Sequence, residues 1–387
     1  VSEGEYYKGR TFLTRYSLRM LAVFLLVFWG VLFGAHALLA VSVIHFFDIV
    51  SSVQRFWLVI CTIGLSGSFL ATSLLVRWQD VALTRFFYMW SGFWLGLLVQ
   101  LLIATALIWL IILIAPRIGW VYPNTALLAS VFFGIALIVS FFGMWNAFHP
   151  QVKEITVQIP GLPDTWKGKR IVQLSDIHLG EVYREDFLRG IVGQINKLNP
   201  VFVVITGDLF DGMNDHLDAL AAPLADMQAD KGVYFVTGNH ETYIGSEIVR
   251  KALGVLPVRI LENEVVDIDG LALIGLSYPD RGMSFDPSHI LEKIQASFRG
   301  KPNILLFHAP THVNTFKEAG IHLQLSGHTH LGQLFPFFLV TKSMYRGHDY
   351  GLYQDGDYTL YTTNGVGTWG PPMRVGNTPE IVVITLQ

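Results

Sequence analysis

The sequence predicts a multi-pass α-helical membrane domain over residues 1–149, followed by an α/β soluble domain over 150–387. Three observations carry this reading. Between residues 20 and 152 the only charged groups are Asp48, Arg55, Arg77, Asp80, Arg85 and Arg117. From residue 170 onward, short apolar runs alternate with helical patterns, and after residue 330 the texture changes to short β runs at 358–363 and 380–386. That succession suggests two sheets packed together with helices outside, a four-layer α/β/β/α sandwich. Finally, five of the apolar runs end in Asp, Asn or His.

The first domain is read from its charge-free runs, 20–47, 56–76, 86–116 and 118–152, each able to supply the roughly 20 apolar residues that cross a bilayer core. Helices are expected near 20–44, 56–76, 88–114 and 125–146. A cleaved signal peptide explains none of the later three, and a soluble bundle would need polar faces that these runs lack. Residues 1–19 form a mostly polar approach, with basic and aromatic residues mixed from Arg10 to Arg19. Gly30-xxx-Gly34 and Gly92-xxx-Gly96 would let helix backbones approach inside the bundle. His36 and His45 read as packed or interfacial side chains. Trp57, Trp78, Trp90, Trp120 and Trp145 fit headgroup-level anchors.

Basic residues set the orientation. Lys8, Arg10, Arg15 and Arg19, then Arg77 and Arg85, then Lys153, Lys167, Lys169 and Arg170 fall on one side; Arg55 and Arg117 fall on the other. The richer side should be cytoplasmic, which places both ends of the chain and the soluble domain there. The net charge of −3 gives nucleic-acid binding no support, and the single Cys61 excludes a disulfide or thiolate metal site within one chain.

The soluble domain begins with Val152–Ile159, an alternating run that reads as an edge strand bounded by Pro150 and Pro160-Gly161-Leu162-Pro163. Candidate helices follow at 184–198, 214–229, 245–254, 287–298 and 312–319. No dinucleotide fingerprint or Walker-type loop is present. Asp176 and His178 follow Arg170–Leu174, and Gly207-Asp208 follows Val201–Ile205. Gly238-Asn239-His240-Glu241 follows Val233–Val236, His308 follows Ile304–Phe307, and Gly327-His328-Thr329-His330 follows Ile321–Leu325. Carboxylate, imidazole and amide donors together suit Mn, Fe or Zn and fit an all-oxygen calcium site poorly.

In their order, Asp176-x-His178, Gly207-Asp208-x-x-Asp211, Gly238-Asn239-His240-Glu241, His308 and Gly327-His328-x-His330 resemble the motifs of calcineurin-like metallophosphoesterases over about residues 153–387. The tail Gly365-Val366-Gly367…Pro371-Pro372-Met373-Arg374…Pro379-Glu380 resembles bacterial members with a membrane attachment, described as phosphodiesterases or lipid-nucleotide pyrophosphatases. The resemblance implies two divalent metal ions. Asp176, His178 and His330 would complete one site, Asn239, His308 and His328 the other, and Asp208 would bridge them. Two such ions can clamp both oxygens of an in-line phosphoryl displacement and acidify the attacking water. By the same resemblance His240 serves the leaving oxygen and is oriented by Asp211, whereas Glu241 is given no catalytic role.

A lone Asp or His after a strand is usually a cap or turn residue. His149, His216, His289, His312, His322 and His348 are read that way, and Asp215 and Asp218 as favouring a helix start. The expected function is hydrolysis of a phosphodiester or pyrophosphate bond, with close membrane attachment favouring a lipid-linked substrate of the UDP-diacylglucosamine type. A tethered nucleotide or phosphoprotein hydrolase is the second reading. A four-helix receptor or transport subunit with a regulatory metal-binding domain is a third, from a different class. The apolar run after His330, with Phe335, Phe337 and Phe338, is the candidate substrate rim meeting the bilayer.

Overall fold

The structure, a computed structural model, describes residues 3–119, 124–212, 216–280, 282–283 and 285–387. Trp120, Asp215 and the side chains of Lys8, Arg10, Arg15 and Arg19 lie outside what it describes. The chain forms two compact units, Val1–Ser140 and Phe141–Gln387.

Among the described residues, four helices are long and apolar enough to cross a membrane. They are α1 (Glu3–Phe46), α2 (Ser52–Trp78), α3 (Ala82–Ile114, prolonged by a 3-10 turn to Ile118) and α4 (Thr125–Ala147). α3 begins ahead of the expected 88 because its first turn is tied down. The Thr84 hydroxyl oxygen accepts from the Val81 N–H at 3.2 Å, and Arg85 pairs with Asp80 at 2.5 Å. Within the first unit, the His36 Nδ1–H donates to the Leu32 carbonyl (2.7 Å) and Nε2 accepts from the Trp94 indole (2.9 Å). The ring of His45 stacks on Trp109 at 4.7 Å. Both histidines are thus packed. The two glycine pairs differ: Gly92 and Gly96 are buried, whereas Gly30 and Gly34 are exposed. Among the described residues nothing lies within 4 Å of where a Cβ would stand on Gly30 or Gly34, so that pair mediates no close contact here.

The second unit holds two six-stranded sheets. The first contains β1 (Gln151–Val157), β2 (Arg170–Leu174), β3 (Val203–Ile205), β4 (Val233–Phe235), β5 (Val258–Ile260) and β12 (Glu380–Leu386), in the order β1-β12-β2-β3-β4-β5. The second contains β6 (Glu264–Ile268), β7 (Leu271–Gly275), β8 (Asn303–Leu306), β9 (Leu323–Ser326), β10 (Gly351–Asp355) and β11 (Tyr358–Thr362), in the order β10-β11-β9-β8-β7-β6. β2 through β5 run parallel, as do β7, β8, β9 and β11. Parallel strands buried on both faces read as near-continuous apolar runs, as β3, β4, β7 and β8 do in the sequence.

Period-two alternation builds the layers. Val172, Val203, Ile205, Ile381 and Val383 face α5 (Glu185–Leu198), α6 (Leu217–Ala221) and the helix before β5. Ile171, Val204, Val382 and Ile384 meet Leu273, Ile304, Leu306 and Leu323 between the sheets. Ala272, Ile274, Leu305 and Leu360 cover the other side, against α9 (Ser288–Ile294) and α10 (Val313–Glu318). The expected helix 245–254 is α8 (Ser246–Leu253), and a further short helix, α7 (Asn239–Ile244), precedes it over the motif residues. The two are separated by Gly245, whose φ of 108° breaks the helical path. After His330 the chain makes a 3-10 turn and then α11 (Phe338–Met344).

Candidate dinuclear metal centre

Parallel strands deliver their C-terminal ends to one edge of a sheet, so the loops after β2, β3, β4, β8 and β9 carry the motif residues together. The turns are tight. Asp176, His178, Asp208, His328 and His330 all have positive φ, between 50° and 76°. Non-glycine residues seldom adopt this region, and such strain collects at functional sites. Gly207 is required by space as well as by its φ of 94°, because a Cβ there would stand 2.6 Å from His308 Nδ1.

Two donor clusters result. Asp176, His178 and His330 form one, and Asp208, His308 and His328 the other; in each, the ligand atoms lie within 4.8 Å of one another. His178 and His330 bring their Nε2 atoms to 3.0 Å, and His330 Nε2 is 3.4 Å from Asp176 Oδ1. In the second cluster His308 Nε2 lies 3.2 Å from Asp208 Oδ2, 3.2 Å from Asn239 Oδ1 and 3.1 Å from His328 Nδ1. Asp208 sits between the clusters: its Oδ2 is also 3.9 Å from His178 Nε2, while its Oδ1 accepts from the His240 N–H at 2.9 Å. All seven residues expected to bind metal are therefore brought together.

The donor chemistry fits a pair of divalent cations. The His308 Nδ1–H donates to the Thr206 carbonyl at 2.8 Å, which fixes its tautomer and leaves Nε2 for a ligand. Two nitrogens 3.0 Å apart cannot both present lone pairs to each other without a proton or a cation between them. Burial drives His178 well below the ordinary imidazole value, with the nearby His240 and His330 adding to it. Burial also drives His330 well down, assisted by Arg374, and pushes His328 down to about 4. Burial would lower His308 too, but the Asp208 carboxylate overrides it and raises the group to about 9. For Asp208 burial opposes ionisation, yet His308 outweighs it and holds the carboxyl well below the usual range. His178, His328 and His330 are thereby disposed to be neutral, as metal binding requires, whereas His308 would give up its Nε2 proton to a bound ion.

His240 stands beside this centre, its ring 4.7 Å from that of His178. Its Nδ1–H donates to Asp211 at 2.7 Å through the main-chain carbonyl. The orienting bond thus uses the backbone of residue 211, while the Asp211 carboxylate packs over Gly180, where a Cβ would stand 2.1 Å from its Oδ2. His240, His178 and Asp208 also have ligand atoms within 4.8 Å, so geometry permits His240 either to bind metal or to face the substrate.

Two residues without an expected role prove central. Glu241 is buried, and its carboxylate accepts from the N–H groups of Asp208 (2.9 Å), Gly238 (2.7 Å) and Phe210 (3.1 Å). It pins two ligand loops together, and burial with the neighbouring Asp208 raises it to about 7. The signal was present: a Glu three residues after a strand-ending Gly is a capping position. Arg374 is also fully buried and reaches His330. His312 and His348, read as turn residues, line a cavity of about 420 Å³ with Thr311, Tyr345 and Arg346. The Tyr345 ring is 6.0 Å from His328.

The calcineurin-like phosphoesterase family profile matches residues 169–332. An uncharacterized metallophosphoesterase of Campylobacter jejuni is 35% identical over 272 residues, covering 67% of this chain and 71% of that protein. One from Helicobacter pylori is 34% identical over 251 residues, covering 62% of this chain and 66% of that protein, just under two thirds of its length. A zebrafish (Danio rerio) protein named transmembrane protein with metallophosphoesterase domain is 35% identical over 272 residues, covering 65% and 61%. With the ligand clusters and strand order described above, these likenesses establish that the chain belongs to the calcineurin-like metallophosphoesterases, a family of metal-dependent phosphoric ester hydrolases.

Proposed function

We propose that this chain hydrolyses a phosphodiester or pyrophosphate bond in a lipid-linked substrate, of the UDP-diacylglucosamine class, at the cytoplasmic face of the membrane. One observation supports the reading: an exposed apolar helix borders a cavity whose lining residue Tyr345 lies 6.0 Å, ring to ring, from the expected ligand His328. Phe335 and Phe337 are 46% and 44% exposed, and Leu339, Val340 and Met344 on α11 are exposed as well. Phe338 is half-buried. Met344 also lines the cavity, followed directly by Tyr345 and Arg346. An acyl chain could lie along α11 while Arg346, His312 and Thr311 receive a phosphorylated headgroup. Keeping that chain in an apolar setting avoids ~0.8 kcal/mol per exposed CH₂.

Within the centre, Asp176, His178 and His330 would hold one divalent ion and Asn239, His308 and His328 the other, with Asp208 shared. Bound ions would supply charge neutralisation at the phosphoryl oxygens and a nucleophile at neutral pH. With its Nδ1–H held by the Asp211 carbonyl, His240 in its imidazolium form would give the Nε2 proton to the leaving oxygen and remain as the neutral ring. Glu241 keeps the Asp208 and Gly238 loops in register.

Replacing Phe337 and Phe338 with Ser should impair cleavage of a lipid-linked pyrophosphate and spare a small soluble diester. If both activities fall together with the stability of the unit, the segment is a packing element and the lipid reading fails. The orientation rests on the Lys/Arg distribution. A reporter fused after Gln387 should work in the cytoplasm, and activity only in an oxidising external compartment would reverse the assignment.

A further inference from the structure

The unit containing the metal centre begins at Phe141, inside α4, so the last turns of that helix are part of it. They pack on the segment around Arg374. The Arg374 N–H donates to the Gly143 carbonyl at 2.9 Å. The Asn146 side-chain amide donates to the carbonyls of Arg374 (3.1 Å) and Asn377 (2.8 Å). A Cβ on Gly143 would stand 2.6 Å from a Val375 methyl carbon and 3.1 Å from the Arg374 carbonyl oxygen, so only glycine permits this approach.

From the same residue the guanidinium turns to the metal centre. Nη1 donates to the His330 carbonyl at 2.9 Å, and Nη2 lies 3.1 Å from His330 Nδ1. Arginine has no acceptor, and a His330 ring that binds metal through Nε2 carries its proton on Nδ1, so the tie to this ligand is the main-chain bond from Nη1. The remaining donors serve the carbonyls of Asn364 (2.7 Å) and Gly367 (3.1 Å from Nε) and the Asn377 side chain (3.0 Å). A fully buried cation surrounded by these neutral acceptors is expensive to keep unless its fork-shaped geometry is needed.

We propose that Arg374 is a positioning residue that ties the last turn of α4 to the metal ligand His330, making the first metal site depend on the membrane helix. The proposal rests on the assignment of His330 as a ligand. It predicts that the outgoing helix buttresses the Asp176–His178–His330 site and leaves the Asn239–His308–His328 site largely alone. Partners that orient a ligating histidine typically change metal affinity ~10–100-fold when altered.

The test uses the full chain in lipid nanodiscs, with Mn(II) as the probe. Binding isotherms and electron paramagnetic resonance would be recorded for wild type, Arg374→Lys, Asn146→Ala and His330→Ala, with thermal unfolding alongside. In wild type the spectrum should show two coupled Mn(II) ions. Arg374→Lys should weaken one site by ~10–100-fold and give the uncoupled signal of a single ion. Asn146→Ala should shift the same site in the same direction by less, without touching the guanidinium. If Arg374→Lys does not fold, Asn146→Ala decides. Two wild-type sites in Asn146→Ala, or equal weakening of both, would overturn the link. Loss of one ion in His330→Ala without any effect in the other two variants would sink this proposal and leave the metal reading standing. Retention of both ions in His330→Ala would instead remove the ligand assignment and the proposal with it.

Discussion

Leu127 in the membrane unit keeps 64% of its surface exposed, whereas Leu305 in the catalytic unit keeps none, although both lie in apolar runs. The contrast holds across both units. Between 11% and 39% of each span's apolar window is buried in the structure, while the strands β2, β3, β8 and β9 are almost wholly buried. Hydrophobic side chains turn outward where the solvent is lipid and inward where it is water. Polar groups differ in the same way. In the membrane unit they close isolated pairs between helices, such as Thr72 to Ser91 at 2.6 Å and Trp109 to Ser42 at 3.0 Å. In the catalytic unit they converge from distant strand ends on a single centre.

Three experiments sharpen this contrast, taken from the largest effect to the smallest. His240→Ala should lower turnover by ~10²–10⁴-fold, as for a lost general acid, while both metals stay bound. The loss should shrink for a diester with a very acidic leaving group; loss of a metal ion would instead make His240 a ligand. Leu305→Ala should destabilise the catalytic unit by about 2–5 kcal/mol in denaturant unfolding, since it leaves a cavity between β8 and its helices. Leu127→Ala should change stability in bilayers by only about 0.5 kcal/mol, because lipid fills the space it leaves. Equal costs at the two leucines would erase the distinction between the units.

Much of this was legible in the sequence. β2, β3, β4, β8, β9, β11 and β12 lie within or beside the apolar runs, and β1 does stand at a sheet edge, because strands covered on both faces must be apolar throughout. The ligands were legible because Asp, Asn and His at strand ends serve no core. β6 was not, since Glu264 and Asp267 interrupt its apolar pattern at the sheet edge; the apolar run of β7 ends in no motif residue that would draw notice. α11 was not, because Phe338-Leu339-Val340 has no clear period and its exposure is a tertiary fact. Arg374 was missed because its main-chain partners lie in remote loops, which leave no spacing to read. Glu241 shows its capping spacing to Gly238, but its bonds to Asp208 and Phe210 come from a remote loop.

The most direct test is the metal content of the full chain and its Asp208→Asn variant, measured with phosphodiester hydrolysis on the same preparations. The account predicts about two divalent ions per chain in wild type and activity that disappears with a chelator and returns with metal. It predicts reduced occupancy and no turnover in Asp208→Asn, since that carboxylate stands between both clusters. An Asp208→Asn protein that holds two ions and turns over at the wild-type rate would contradict the dinuclear centre.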